Sequence, residues 1–551
     1  MGDRQVPRRR ILQATGATIP AILAGCTGGN STDQGTTTDE TTGGSTNSDD
    51  TGGGSGQTNS GATLNVAQHL QPSRFDPILQ YSNPDAMVGN RVFSKLYTYN
   101  EGTETVPNVA KADPEISKGN TRYVVPLREN VTFHNGDPLT AEDVKYSFMA
   151  PINEETPLKG IFKVIDKATV VDEHTVQFDL KYPFAMFDDV LTHHIVPKSV
   201  REKDKEAFNT KRPIGSGPFK FVEWEESSYV DLERWDDYWG DELPNLSGVR
   251  FQPITESTTR VTELRTGKQD IIETIPPKLW STVKGMQGAS IDAVESIGYF
   301  YVAFNLNEGP TKDLKVREAI DHTFSMDSAV EQFIKPAGVR QYSPMPGPIV
   351  EDWGFPVDRW KDIPNDKDVA RAKKLFSEAG VPSNWTCKII VPPDDNRENI
   401  GISIANGIKE AGYDANVQRL DWGTLLSKAY TGKAADYNMY VLGWVRYPDP
   451  DDFMYNLFHP DAEGANQGVY YKNETVAQQI SQARKSIDRK ERKQLYTKAI
   501  TTILEDKVHL PAFNYKNSFG VRSAVKDFGV HAVAPINPRL LTDYANVSVE
   551  K

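Results

Sequence analysis

At 551 residues the chain exceeds what a single hydrophobic core supports, so two or three domains are expected. A net charge of −13 argues against a nucleic-acid partner, because phosphate binding needs a basic surface. No stretch after residue 26 approaches eighteen consecutive apolar residues, so nothing there reads as a membrane span.

The first 26 residues read as an export address. Arg8-Arg9-Arg10-Ile11-Leu12-Gln13 sets adjacent arginines before a short apolar run, Ala14 to Ala24, which ends in Leu23-Ala24-Gly25-Cys26. That order is the layout of a twin-arginine export signal joined to a lipoprotein cleavage box. Thr15, Gly16, Thr18 and Pro20 interrupt the run, leaving it too short and too polar to span a bilayer. The expectation is an extracytoplasmic protein anchored to the outer face of the cell membrane by a lipid on Cys26. Residues 27–61 are almost entirely Gly, Ser, Thr, Asn, Gln and Asp, a composition that cannot bury enough surface to order itself. They read as a leash whose random-coil span is about 30 Å. With Cys26 lipidated, Cys387 is left alone and no internal disulfide is expected; it lies in the strand-like Thr386–Val391 and reads as a buried structural thiol.

The globular body starts at a short alternating strand, Ala62 to Ala67. A helix is predicted from Asp85 to Leu96 behind Asn83-Pro84, and Thr121 to Leu127 is strand-like. Val131 and Phe133 fit a strand, and Asn135-Gly136 a turn. Thr140-Ala141-Glu142-Asp143 sets a hydroxyl at a helix start with an acid three residues on, a capping arrangement. Thr175 to Leu180 alternates cleanly, and Val261, Leu264 and Gly267 mark a helix and its stop.

From Tyr299 the rhythm changes. A strand, Tyr299 to Ala303, leads to a helix carrying Val316, Ala319, Ile320 and Phe324. Asp368 caps a helix ended by Gly380; Lys388–Val391 is a strand; Ile400, Ile404 and Ile408 stripe a helix ended by Gly412; strand Ala415–Leu420 follows. Strands alternating with helices of this length argue an α/β sheet domain. Helix Arg489–Glu505 closes the region and strand His509–Tyr515 leaves it.

Catalytic signals are missing from the body. It has no Gly-x-Ser-x-Gly elbow and no His-Glu-x-x-His helix. Gly215-Ser216-Gly217-Pro218-Phe219 lacks a phosphate loop's Lys-Ser/Thr ending, and Pro218 blocks the helix that would hold phosphate, so it reads as a turn feeding strand Phe219–Trp224. His193-His194 are strand neighbours facing opposite ways, which argues against a shared metal. No metal and no cofactor are expected.

Four segments together carry a resemblance. They are Val131-Thr132-Phe133-His134-Asn135-Gly136-Asp137-Pro138-Leu139-Thr140-Ala141-Glu142-Asp143-Val144, Ile214 to Lys220, Asp313-Leu314-Lys315-Val316-Arg317-Glu318-Ala319-Ile320, and Gly443-Trp444 followed by Tyr447-Pro448-Asp449-Pro450. In this order, behind an export lipobox, they resemble the extracytoplasmic solute-binding proteins of the peptide/nickel class of ABC importers, family 5. The resemblance runs from Leu64 to the C-terminus. It implies an α/β, two-lobed periplasmic-binding-protein-like fold of type II, in the large three-domain variant, with mixed sheets and a cleft between lobes. Lobe one is expected over 62–297 plus 516–551, with an inserted subdomain roughly at 100–215, and lobe two over 298–515, with crossovers near 290–300 and 510–520. The implied function is capture of an oligopeptide or dipeptide without chemistry, by a monomer that delivers it to an ABC permease and its ATPases. A sugar, an anion or a metal chelate as ligand, a sensor role, and more remotely a secreted hydrolase are the alternatives.

The resemblance also points to contacts. Trp444 is placed to stack on the ligand, with Arg446, Tyr447 and Asp449 beside it; Tyr81, Ser82 and Asn83 precede the first helix; Asn305 and Tyr342 fall in segments that similar proteins place at the lobe interface. One departure stands out. Peptide binders of this kind hold the ligand's α-amino group with an acid in the cleft loop, and here Arg446 sits at or next to that position. A guanidinium repels an ammonium and prefers carboxylate or phosphate. Either Asp449 takes over, or the ligand is not gripped by a free amine.

Overall fold

The computed structural model describes residues 61–79, 82–542 and 545–550. The export segment, Cys26, nearly all of the leash and Tyr81 lie outside them. Among the described residues no helix is long and apolar enough to cross a membrane.

One mixed sheet runs through the body. Its strands lie in the order Asp414–Arg419, Thr386–Val391, Met439–Trp444, Tyr299–Phe304, His509–Arg522, Ile271–Glu273, Thr63–Gln68, Gly248–Pro253, Tyr229–Arg234 and Phe219–Glu225. The hinge element is His509–Arg522. Its first half pairs with Tyr299–Phe304, and its second half pairs with Ala289–Glu295 and Ile271–Glu273. The sequence pattern predicts a strand only to Tyr515. The strand continues to Arg522 because its polar residues Lys516, Asn517 and Ser518 stay paired across the lobe junction.

Lobe two is a sheet buried on both faces. Tyr301 and Ala303 point into one apolar cluster while Val302 and Phe304 point into the other. Its strands therefore read as near-continuous apolar runs, as double-sided burial requires. Asp368 accepts from the Arg371 amide to start helix Val369–Glu378, and Gly380 follows its end at φ 65°. Ile400, Ile404 and Ile408 form the buried stripe of Asp395–Glu410, and Gly412, at φ 93°, turns the chain into Asp414–Arg419.

Lobe one packs helix Asn83–Val92 on strands Thr63–Gln68 and Gly248–Pro253 around Leu64, Val66, Met87, Val88, Val249 and Phe251. This helix starts earlier and ends earlier than the predicted Asp85–Leu96. Gly215 and Gly217 bring their backbone against its end; a Cβ on them would lie 1.9 Å from the Val92 oxygen and 2.3 Å from the Arg91 oxygen. A four-stranded antiparallel sheet, Glu115–Ser117, Arg122–Pro126, Thr175–Leu180 and Ile165–Asp172, has its own core with Phe148, Phe178 and Phe187. Thr140 and Asp143 form the expected reciprocal cap of helix Ala141–Asn153. Val131–Phe133, expected as strand, makes only the single bridge Thr132 to Pro138: both partners sit on one tight turn, so no ladder can extend. The two histidines, expected as strand neighbours facing opposite ways, lie outside the strands with their ring centres 6.3 Å apart, His193 packing on Phe162 and His194 taking Asn90 as partner.

Candidate functional site

The sheet order fixes where a ligand can sit. In lobe one, parallel strands Thr63–Gln68 and Ile271–Glu273 end at Gln68 and Glu273, and Glu273 pairs with Phe519 just beyond the junction. In lobe two, parallel strands Thr386–Val391 and Met439–Trp444 end at Val391 and Trp444, and Trp444 pairs with Tyr299, the first residue of its strand. The carboxyl ends of both sets thus converge on the junction, where open α/β sheets place ligand sites.

The lobe-two wall is built on Asp452. This buried carboxylate accepts from the Trp444 indole at 2.9 Å and from the Tyr447 amide at 3.2 Å, so one side chain fixes both aromatic residues. Burial raises its pKa, while the Arg446 guanidinium facing it pulls the other way. Arg446 also stands 5.5 Å from the Tyr447 ring centre. Part of its charge is thereby balanced within the loop. Tyr447 packs away from the lobe-two clusters, against the apolar core of the four-stranded sheet.

Asp449 has a structural task. Its Oδ1 accepts from the Asp451 amide at 2.7 Å, capping helix Pro450–Phe458, and from Arg492 at 2.6 Å. Asp451, fully buried, takes Arg484 and the Tyr496 hydroxyl, and burial lifts its pKa to about 6. Arg484 reaches that same core, its guanidinium carbon 4.5 Å from the Phe184 ring centre. Facing this group, Asp189 accepts from the Tyr99 hydroxyl at 2.8 Å. Asp188 is open to solvent yet walled by protein. That crowding, with Asp113 and Asp449 nearby, raises its pKa to about 6.

On lobe one, Ser82 and Asp85 cap Asn83–Val92 reciprocally. Asn83 donates to Glu273 at 3.2 Å, and His69 donates to Glu273 from its ring at 2.8 Å and its amide at 3.2 Å. Asn305 lies elsewhere. It sits at the far end of the strand that begins at Tyr299, is fully buried, and spends its oxygen on the amides of Asn307 and Glu308 and its side-chain nitrogen on Tyr437. Tyr342 belongs to a small ion cluster, donating to Asp327 at 3.0 Å beneath the Arg340 guanidinium.

The structure thus brings Trp444, Arg446 and Tyr447 together on one wall and places Ser82 and Asn83 on another, with Asp449 behind the loop and Asn305 remote. It adds residues the sequence reading does not name: Glu273, His69, Asp188, Asp189, Asp452 and Trp422. Trp422, 47% exposed, starts the helix after strand Asp414–Arg419, with the Arg397 guanidinium 5.1 Å from its ring. The sequence signal was a tryptophan directly after the capping Asp421.

Comparison with known proteins agrees with this architecture. Residues 104–465 match the model of the bacterial extracellular solute-binding proteins, family 5 middle region. The oligopeptide-binding protein AppA of Bacillus subtilis is 25% identical over 505 residues, covering 87% of this chain and 90% of its own. Di/tripeptide-binding protein 1 of Pseudomonas aeruginosa is 24% identical, covering 87% and 93%. The structure of the periplasmic binding protein DppA from Helicobacter pylori, in complex with the peptide STSA, superposes with a TM-score of 0.76 at 23% identity, over 90% of this chain and 99% of that one. With the two-lobed α/β fold in place and the family match spanning most of the body, the chain belongs to the bacterial extracellular solute-binding proteins of family 5.

Proposed function

We propose that this protein captures a short peptide between its lobes outside the cytoplasmic membrane and hands it, unaltered, to an ABC permease. The observation that carries this reading is the convergence of the two sets of strand ends on one junction, with an aromatic wall on lobe two and a carboxylate-bearing wall on lobe one. Closure on a ligand follows from contact with both walls, which gives the closed form the higher affinity. The peptide-binding names of the relatives support peptide as the solute class. Asp452 tempers the objection that Arg446 raises, because it shares that cation's field. The lobe boundaries at 297/298 and 515/516, the monomeric state, and the twin-arginine export and lipid on Cys26 are part of the proposal.

Titration of the full chain with dipeptides and tripeptides, followed by tryptophan fluorescence, tests it. A saturable change is expected, with the peptide recovered intact. Cleavage of the peptide, or no saturable response to any peptide, defeats the reading. Replacement Cys26→Ser tests the anchor: the protein should move from the detergent phase to the aqueous phase.

A further inference from the structure

The lobe-one wall holds an unmet demand for hydrogen-bond donors. Gln68 and Glu273 end adjacent parallel strands in matching register, Ala67 lying opposite Ile272, so their side chains leave the sheet on the same face, toward the start of helix Asn83–Val92. Gln68 is fully buried and its nitrogen donates to the Pro84 oxygen at 3.1 Å; Asn83 gives its nitrogen to Glu273. These bonds settle which way each amide faces. They leave Gln68 Oε1 and Asn83 Oδ1 buried without a donor. Buried acceptors in native proteins nearly always have partners, and leaving one dry is costly.

Glu273 adds a third vacancy. Its Oε2 takes the ring and amide of His69, and its Oε1 takes only Asn83. An ionised carboxylate has about four acceptor positions, so one on Oε1 remains open. The neighbouring Arg260, whose charge also acts on Glu273, makes no hydrogen bond to that carboxylate and gives four of its five donors to the carbonyls of Ile254, Thr255, Glu273 and Thr274. The three open acceptors, one of them anionic, belong to two adjacent strand ends and the helix start beside them, and a primary ammonium carries three donors.

Resting on the peptide-capture reading, we propose that Glu273, Asn83 and Gln68 receive the ligand's free amino group on lobe one. This relocates the amine grip to the opposite wall from Arg446, so the cation in the cleft loop no longer opposes a free-amine peptide.

The test presents the full chain with equal amounts of a random tripeptide library and its N-acetylated counterpart, and retained peptides are counted by mass spectrometry. The expected result is enrichment of the free-amine form by tenfold or more, falling to near parity in a folded Glu273→Gln variant. Should that variant not fold, Asn83→Ala removes one acceptor and should reduce the enrichment several-fold. Equal retention of both forms by the wild type overturns the amine site while leaving peptide capture standing. Retention of neither form overturns both.

Discussion

Arg492 donates to Asp449 at 2.6 Å inside lobe two, and this bond joins helix Arg489–Glu505 to the cap of the helix that follows the cleft loop. Both side chains are buried, the arginine at 6% exposure and the aspartate at 10%. Removing one member of such a pair strands the other charge. Arg492→Met should therefore destabilise the protein by about 3–5 kcal/mol. Adding Asp449→Asn should recover part of that loss. Urea unfolding of the single and double variants decides; a single variant as stable as wild type contradicts the assignment.

Trp444 should be the main aromatic contact. Its ring is fixed by Asp452, so its ordering cost is met before binding. Trp444→Ala should weaken peptide binding by about 2 kcal/mol, roughly thirtyfold in Kd. Asp452→Asn should weaken it less, by freeing the ring rather than removing it. Calorimetric titration of both variants gives the ordering, and the reverse order refutes it.

The His69–Glu273 pair makes stability depend on pH. Burial opposes the imidazolium, but the charge and hydrogen bond of Glu273 outweigh it and raise the His69 pKa above 6.5. Burial likewise opposes the carboxylate, and His69 outweighs it, lowering Glu273 below 4.5. The histidine's contribution is complete below its unfolded value and fades as pH rises through its folded one. The glutamate's contribution is present above its unfolded value and fades as pH falls through its folded one. The pair therefore stabilises most between about pH 4.5 and 6.5. His69→Gln should cost more at pH 5.5 than at pH 8.5 in urea midpoints; an equal cost at both counts against the pair.

Asp188 has the opposite sign. Its folded pKa, raised to about 6, lies above its unfolded 3.8, so folding favours the protonated form. Its ionisation lowers stability progressively as pH rises from 3.8 to 6, and the penalty is complete above that. Asp188→Asn should raise the Tm at pH 7.5 and change it little at pH 4.5. A gain confined to pH 4.5 reverses the argument.

Cys387 is fully buried, and burial pushes its thiol pKa up, so the reactive thiolate is suppressed. It should resist iodoacetamide at pH 8 in the native protein and react once urea unfolds it. Native-state labelling at Cys387, located by peptide mapping, would show that the strand opens.

Local patterns were enough for the elements whose signal lies within one turn or one strand. The caps at Thr140 and Asp368, the Ile400, Ile404 and Ile408 stripe, and the alternation of Thr175–Leu180 are each set by neighbours in sequence. Trp444 and Tyr447 were named through the family resemblance rather than local pattern, and Asp452, which holds both, was not named. What the tertiary structure decided is which distant groups meet. Glu273 gains His69 and Asn83 across roughly two hundred positions of chain, and Asp449 is claimed by Arg492 from another helix. A carboxylate's partner sets whether it caps a helix, pairs with an arginine or stays open to a ligand. That partner arrives through sheet order and packing, which local periodicity does not encode.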